Sequence, residues 1–185
     1  MYPQAQTFVV EPPPIANKLE GRFRPGHFRG MATVVLKLFN IVMPDVAVFG
    51  RKDAQQCAVV ARMVRDLDVP VRLVFGETAR EADGLARSSR NSYLSDEERK
   101  LAPALHRALR AGEEAIHHGI RDVPALESLM RKMAQETPGV EVDYLAVVDP
   151  ETFTAPLPSA REVLLVGAMK VGKTRLIDNI RVAGR

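Results

Sequence analysis

The sequence predicts an α/β fold, in which a parallel strand-helix-strand unit precedes a module of helices and a small sheet. Three observations carry this reading. Val46-Ala47-Val48-Phe49 is a continuous apolar run fit for a strand buried on both faces, Ala54 to Leu67 has the periodicity of an amphipathic helix, and Val71 to Phe75 is a second strand. Elements in that order make a βαβ unit with parallel strands and a right-handed crossover. After Gly76 the composition turns polar through Ser92, then becomes helical and finally β-rich, which sets a boundary near Thr78 and two domains, 1–78 and 79–185.

The remaining elements follow in chain order. Thr7-Phe8-Val9-Val10 is short and β-rich and is followed by Pro12-Pro13-Pro14, so it reads as a strand ended by prolines that cannot continue a ladder. Leu19 to Gly30 contains three Gly, one Pro and three Arg and reads as a polar loop suited to sharp turns around an anion. Met31 to Val42 is apolar on nearly every side, as a buried helix would be, and Pro44 stops it. Ser95 with Glu98 three residues later is a capping box, opening a helix that is expected to run to about Gly119. A second helix spans Val123 to Glu136 and is closed by Pro138-Gly139. Val140 to Val148, Arg161 to Val166 and Arg175 to Val182 read as three short strands.

Composition excludes several classes. The chain has 185 residues, 46% of them hydrophobic and 26% charged, which suits one full domain or two small ones with a packed core. No apolar run nears the roughly 20 residues that span a bilayer, and Met1 to Gln6 is not the start of a secretory signal. The single cysteine, Cys57, fits a reducing cytoplasm. A net charge of +3 with scattered Lys and Arg, 5% aromatic residues and no Trp does not point to nucleic acid; it allows an anionic small molecule held by local cations.

Four places carry possible chemistry. Gly50-Arg51-Lys52-Asp53 lies at the carboxyl end of a parallel strand and the start of a helix, where open α/β sheets place ligands and where phosphate is attracted. Lys52 would neutralise a phosphate and Asp53 accept from ribose hydroxyls; a capped helix start with solvated charges is the alternative. Asp83 to Asn91 sets Ser88 and Ser89 beside Arg90, hydroxyls and a guanidinium fork that suit a polyphosphate, or else a solvated connection. Gly167 to Thr174 fits the P-loop pattern G-x-x-x-x-G-K-[ST], but a P-loop opens a domain and only 11 residues follow Thr174, so the segment reads as a glycine-containing β-turn. Of the histidines, His27 lies in the Arg-Pro-Gly loop as a candidate ligand contact, while His106, His117 and His118 fall on a polar helix and read as solvated. No metal-ligand spacing and no Ser-His-Asp arrangement is present, and Cys57 reads as a helix core residue.

Leu19-Glu20-Gly21, Arg24-Pro25-Gly26-His27-Phe28-Arg29-Gly30, Lys37-Leu38-Phe39-Asn40, Lys52-Asp53 with Gln55-Gln56, Asp83-Gly84-Leu85-Ala86, Ser88-Ser89-Arg90-Asn91 and Arg175-Leu176-Ile177-Asp178-Asn179 occur in one order along almost the whole chain. In this the sequence resembles the pantothenate synthetase (pantoate-β-alanine ligase) family. The resemblance implies the distal part of a Rossmann-like parallel-sheet nucleotide-binding domain, then a small helix plus antiparallel-sheet domain. It implies an AMP-forming ligase acting through a pantoyl adenylate on pantoate, β-alanine and ATP, with Mg2+ accompanying ATP, in a cytoplasmic homodimer. Carried over by position, the ATP-binding residues are Gly50, Arg51, Lys52, Asp53, Ala79, Arg87, Ser88, Ser89 and Arg90, with Lys52 and Arg90 catalytic. The pantoate-binding residues are Gln56 and the apolar wall of Val34, Val35 and Phe49.

The sequence departs from the family's pattern in defined ways. The family opens with a strand, a His-x-Gly-His nucleotide loop and a second pantoate-binding glutamine, none of which is present. Arg51 stands where the family has Glu, Ala54 where it has an aromatic residue, and Arg87 where it has an apolar one; two of these add positive charge beside the expected phosphates. The alternative is a non-catalytic fragment or pseudoenzyme that assembles with a partner, or with itself, through apolar strand edges near Phe8 to Val10 and Val46 to Phe49.

Overall fold

A computed structural model describes residues 4–157 and 159–183; of the N-terminal segment read for a signal, Met1, Tyr2 and Pro3 lie outside the described residues. The chain divides into two units, Met1–Gly76 and Glu77–Arg185. No helix among the described residues is long and apolar enough to cross a membrane.

In the first unit, a single turn α1 (Glu20–Phe23) precedes α2 (His27–Val42), β1 (Val46–Gly50), α3 (Ala54–Asp66) and β2 (Arg72–Gly76). The strands β1 and β2 pair in parallel, Val46 opposite Arg72 through Gly50 opposite Gly76, with α3 as the crossover the sequence predicts. On α2 the buried residues Phe28, Met31, Ala32, Val35 and Phe39 recur at three- and four-residue spacing, one helical stripe. On α3 the stripe is Cys57, Val59, Val60 and Met63, with Gln55 at its head.

Several expectations are corrected here. The helix expected from Met31 begins at His27, because Phe28 adds a turn to the buried stripe, and α1 replaces part of the expected polar loop. Far from being buried all round, α2 leaves Leu38, Ile41 and Val42 exposed, since only one stripe of a helix can face its neighbour. Thr7 to Val10 is not a strand: the Val10 N–H is taken by the Thr33 hydroxyl on α2, so no ladder forms, and Phe8 is 89% exposed. Nor is β1 buried on both faces. Ala47 and Phe49 turn inward, where Phe49 meets Phe39 of α2 edge-on, while Val46 and Val48 are exposed on the other face.

In the second unit an irregular segment leads to α4 (Asp96–Leu101), α5 (Ala104–His117) and α6 (Val123–Gln135), then to β3 (Val140–Val148), β4 (Glu162–Val171) and β5 (Thr174–Ala183). Ser95 Oγ accepts from the Glu98 N–H and Glu98 returns its carboxylate to the Ser95 N–H, the capping box the sequence predicts. The single helix expected from there is two, because Pro103 has no N–H to donate and its ring clashes with the preceding turn. Asp122 caps α6 through the Ala125 N–H. The three strands form an antiparallel sheet in the order β3-β4-β5, with β4 and β5 longer than expected. One side of the sheet is packed by α5 and α6: Leu105, Leu109 and Ile116 meet Met130, Leu145, Leu165 and Met169 in a common core.

The P-loop-like stretch resolves as the β4–β5 hairpin. Val171 pairs with Thr174 around a two-residue turn, and Gly172 takes φ +55° at its first position, which a type II′ turn demands and only glycine supplies without strain. A register shift between Val142 and Tyr144 makes a bulge at Asp143, whose buried carboxylate lies 2.6 Å from Arg175 Nε.

Candidate functional site

In the first unit the expected residues gather at one strand-turn-helix junction. Gly50 ends β1, Arg51–Asp53 form one 3₁₀ turn, and α3 begins at Ala54 with Gln56 on its first turn. The junction therefore lies at the carboxyl end of a parallel strand, where backbone N–H groups and the helix dipole favour an anion. It is fixed from behind, since the Cys57 thiol donates to the Gly50 carbonyl at 3.4 Å. Lys52 is mostly buried, its side chain 17% exposed, with Nζ 3.8 Å from Asp53 Oδ1, a loose pair at the surface end. The Arg51 guanidinium lies over the Phe75 ring at 5.8 Å, so its charge is drawn onto β2. Of the expected apolar wall, Val35 is buried in the α2 stripe, and Val34 and Phe49 are half-buried.

The neighbouring glutamines divide their work. Gln56 is half-buried, whereas Gln55 is buried and donates Nε2 to the carbonyls of Ile15 (2.7 Å) and Lys18 (3.0 Å) while accepting from the Glu20 N–H (3.2 Å). It thereby ties the 15–20 segment to α3. His27, the candidate ligand contact, has Nε2 2.9 Å from Arg24 Nη1.

In the second unit the segment 79–91 is a folded loop. The Ala79 carbonyl accepts from the Arg87 N–H at 2.8 Å, Arg80 bridges Ala86, and the Glu81 N–H donates to Leu85. Leu85 and Ala86 are its buried anchors. Ser88 caps the 3₁₀ turn Ser89–Tyr93 by accepting from the Arg90 N–H, and the Asn91 amide donates to the Ala86 carbonyl. The loop thus presents Ser88, Ser89 and Arg90 consecutively, with Ser89 exposed, and Arg87 pairs with Glu81 at the surface. Asp83 is steadied by Arg99 Nη1 at 2.6 Å, and that hydrogen bond holds its carboxyl below the ordinary value against the opposing effect of burial.

One constellation in this unit escaped sequence reasoning. Arg80 is bound through both terminal nitrogens to the buried carboxylate of Asp178 on β5, at 2.7 and 3.0 Å. His106, expected to be solvated, instead lies 3.5 Å from that carboxylate, because α5 turns this position toward β5. A legible signal existed: Asp178 occupies an inward position of the strand, in step with Leu176 and Val182, and an acid there requires a buried cation.

Comparisons with known proteins show what the chain is similar to. The family model described as pantoate-beta-alanine ligase matches residues 1–181. The chain is 51% identical over 180 residues to the pantothenate synthetase of Gluconobacter oxydans, covering 97% of this chain and 66% of that protein. It is 53% identical over 188 residues to that of Thermobifida fusca, covering 97% and 64%. Among solved structures, pantothenate synthetase from Thermus thermophilus matches with TM-score 0.92 at 45% identity, over 97% of this chain and 65% of that one. Pantoate-beta-alanine ligase from Francisella tularensis, solved with β-γ ATP and β-alanine, matches with TM-score 0.72 at 32% identity, over 97% and 60%. The chain therefore spans slightly under two thirds of the length of these relatives.

Proposed function

The chain belongs to the pantoate-beta-alanine ligase family, and from that premise we propose that it carries ATP- and pantoate-binding elements of an AMP-forming ligase that joins pantoate to β-alanine. The observation that carries this reading is the Gly50-to-Gln56 junction, where a largely buried lysine and a half-buried glutamine follow a parallel strand at its ligand-binding end. Lys52 binds the phosphates and Asp53 the ribose, while Gln56 holds pantoate against Val34, Val35 and Phe49. In the second unit the Ala79 backbone meets adenine, and Ser88, Ser89 and Arg90 grip the outer phosphates, with Arg51 and Arg87 adding positive charge.

The chemistry proceeds in two displacements. A pantoate carboxylate oxygen bonds to the α-phosphorus as the bond to pyrophosphate breaks, giving pantoyl adenylate. The β-alanine amine then bonds to the acyl carbon, loses a proton and expels AMP. Charge accumulates on the phosphorus oxygens in the first step, and cations and hydroxyl donors such as Lys52, Arg90 and Ser89 are the groups that stabilise it. Mg2+ enters with ATP on its phosphates. The protein acts in the cytoplasm as a homodimer, a reading supported by its lone cysteine and by the exposed apolar residues Ile41, Val42 and Met43.

The test measures ATP binding and pantoate-dependent exchange between ATP and pyrophosphate by the chain, with Lys52→Ala beside it. Binding and exchange that Lys52→Ala abolishes are expected. Exchange that survives Lys52→Ala, or a chain with no affinity for ATP, would refute the assignment.

A further inference from the structure

The segment 79–91 is shaped by short-range hydrogen bonds around one isolated bridge and one 3₁₀ turn, with Leu85 and Ala86 as its buried apolar side chains. One guanidinium ties that shape to the sheet. Arg80 Nη1 donates to the Gly84 carbonyl (3.0 Å) and to Asp178 Oδ2 (2.7 Å), and its Nη2 donates to Asp178 Oδ1 (3.0 Å) and to the Asn179 carbonyl (3.2 Å). Arg80 is the neighbour of Ala79 and lies opposite Ala86, so this fork fixes both arms of the loop onto β5. Asp178 has only 4% of its side chain exposed, and Oδ1 is further oriented by the Asn179 N–H at 2.7 Å.

The tip of the loop is seated on the ring that lies beside the same carboxylate. Gly84 has φ +91°, and a Cβ there would collide with the His106 imidazole, so the loop tip rests directly on that ring. The His106 Nδ1 is buried, has no hydrogen-bond partner and lies 3.5 Å from Asp178 Oδ2. Buried ion pairs contribute little net stability compared with apolar packing of the same volume; what a bidentate pair supplies is a unique geometry.

We infer that Asp178, acting through Arg80, is a positioning residue for nucleotide: it sets the backbone of 79–88 so that the Ala79 backbone and the Ser88–Arg90 donors are presented before ligand arrives. The inference rests on the assignment of this loop to ATP. It makes pre-organisation, and hence affinity for the nucleotide, the property that the pair controls.

Asp178→Asn in the full chain keeps the shape and removes the charge, and Arg80→Lys keeps the charge and removes the fork, so a failure of either to fold leaves the other. Two readouts are taken on each: amide hydrogen exchange of Leu85, Arg87 and Asn91, and the ATP dissociation constant by calorimetry. Exchange in 79–91 is expected to rise at least tenfold, with β4–β5 amides unchanged, and ATP affinity to fall about tenfold while pantoate affinity holds. Unchanged loop exchange would overturn the clamp itself. Faster exchange with undiminished ATP affinity would overturn the positioning role and leave a structural pair. A wild-type chain that binds no ATP would refute the nucleotide assignment and the positioning role with it, while the exchange arm still decides whether the clamp exists.

Discussion

Replacing Gln55 by alanine should unsettle the first unit far more than the same change one residue later. The Gln55 side chain makes three hydrogen bonds, two donated to Ile15 and Lys18 carbonyls and one accepted from Glu20, and it is 5% exposed. Each such bond contributes about 1 kcal/mol net, and a stranded buried partner costs about 1–3 kcal/mol, so Gln55→Ala should cost about 3 kcal/mol. Gln56→Ala removes a half-buried side chain and should stay within about 0.5 kcal/mol. Urea titration followed by far-ultraviolet circular dichroism gives the stability change. Native-state exchange of α3 amides locates it, where about 3 kcal/mol corresponds to exchange faster by roughly two orders of magnitude. Pantoate binding should sort the pair the other way, lost with Gln56→Ala. A cost below about 1 kcal/mol for Gln55→Ala, or an equal cost for both glutamines, would refute the division of labour.

Two further outcomes are expected. Lys173→Ala, at the tip of the β4–β5 turn, should leave ATP affinity within about twofold and stability within about 0.5 kcal/mol; loss of nucleotide binding in calorimetry would reinstate the P-loop reading. Asp83 is held below its ordinary value by Arg99, so the folded state resists protonation more than the unfolded chain does. That stabilisation is complete above the ordinary carboxylate range and is lost as pH falls through the depressed value. Both side chains are over a third exposed, so after screening it is worth about 0.5 kcal/mol or less. Carboxyl-carbon NMR titration should show the Asp83 midpoint rising in Arg99→Ala, and an unmoved midpoint would assign the shift to the loop backbone instead.

What the sequence made legible was local. The strand-helix-strand run from Val46 to Phe75, the Ser95–Glu98 box and the Gly172 turn each depend on residues a few positions apart, and each took the form their chemistry dictates. Pro103 is equally local, but the helical pattern on both sides of it masks the break. The strand expected at Thr7 to Val10 failed for a reason outside its own residues, because a strand exists only when a neighbour accepts its ladder and here Thr33 captured the donor. The same holds for the candidate site. Gly50 to Gln56 and Ser88 to Arg90 could be seen because their residues are contiguous. The Arg80–Asp178 pair joins positions 98 apart, and no periodicity in one strand names the distant arginine that answers its buried acid.

The packing of α5 has a consequence for the order in which the second unit is made. Its apolar stripe, with Leu105 and Leu109 fully covered in the finished fold, is shared between α6, β4 and β5, so most of its cover is encoded downstream. Roughly seventy residues separate Leu109 from the end of β5, and a ribosome adding about 5–20 residues per second needs several seconds to deliver them. A helix pair forms within microseconds and a hairpin in about 1–10 μs, so synthesis and not conformational search sets the delay. During those seconds α5 and α6 can shield only each other, and the nascent chain offers a leucine-rich helical face to chaperones until the last hairpin closes over it.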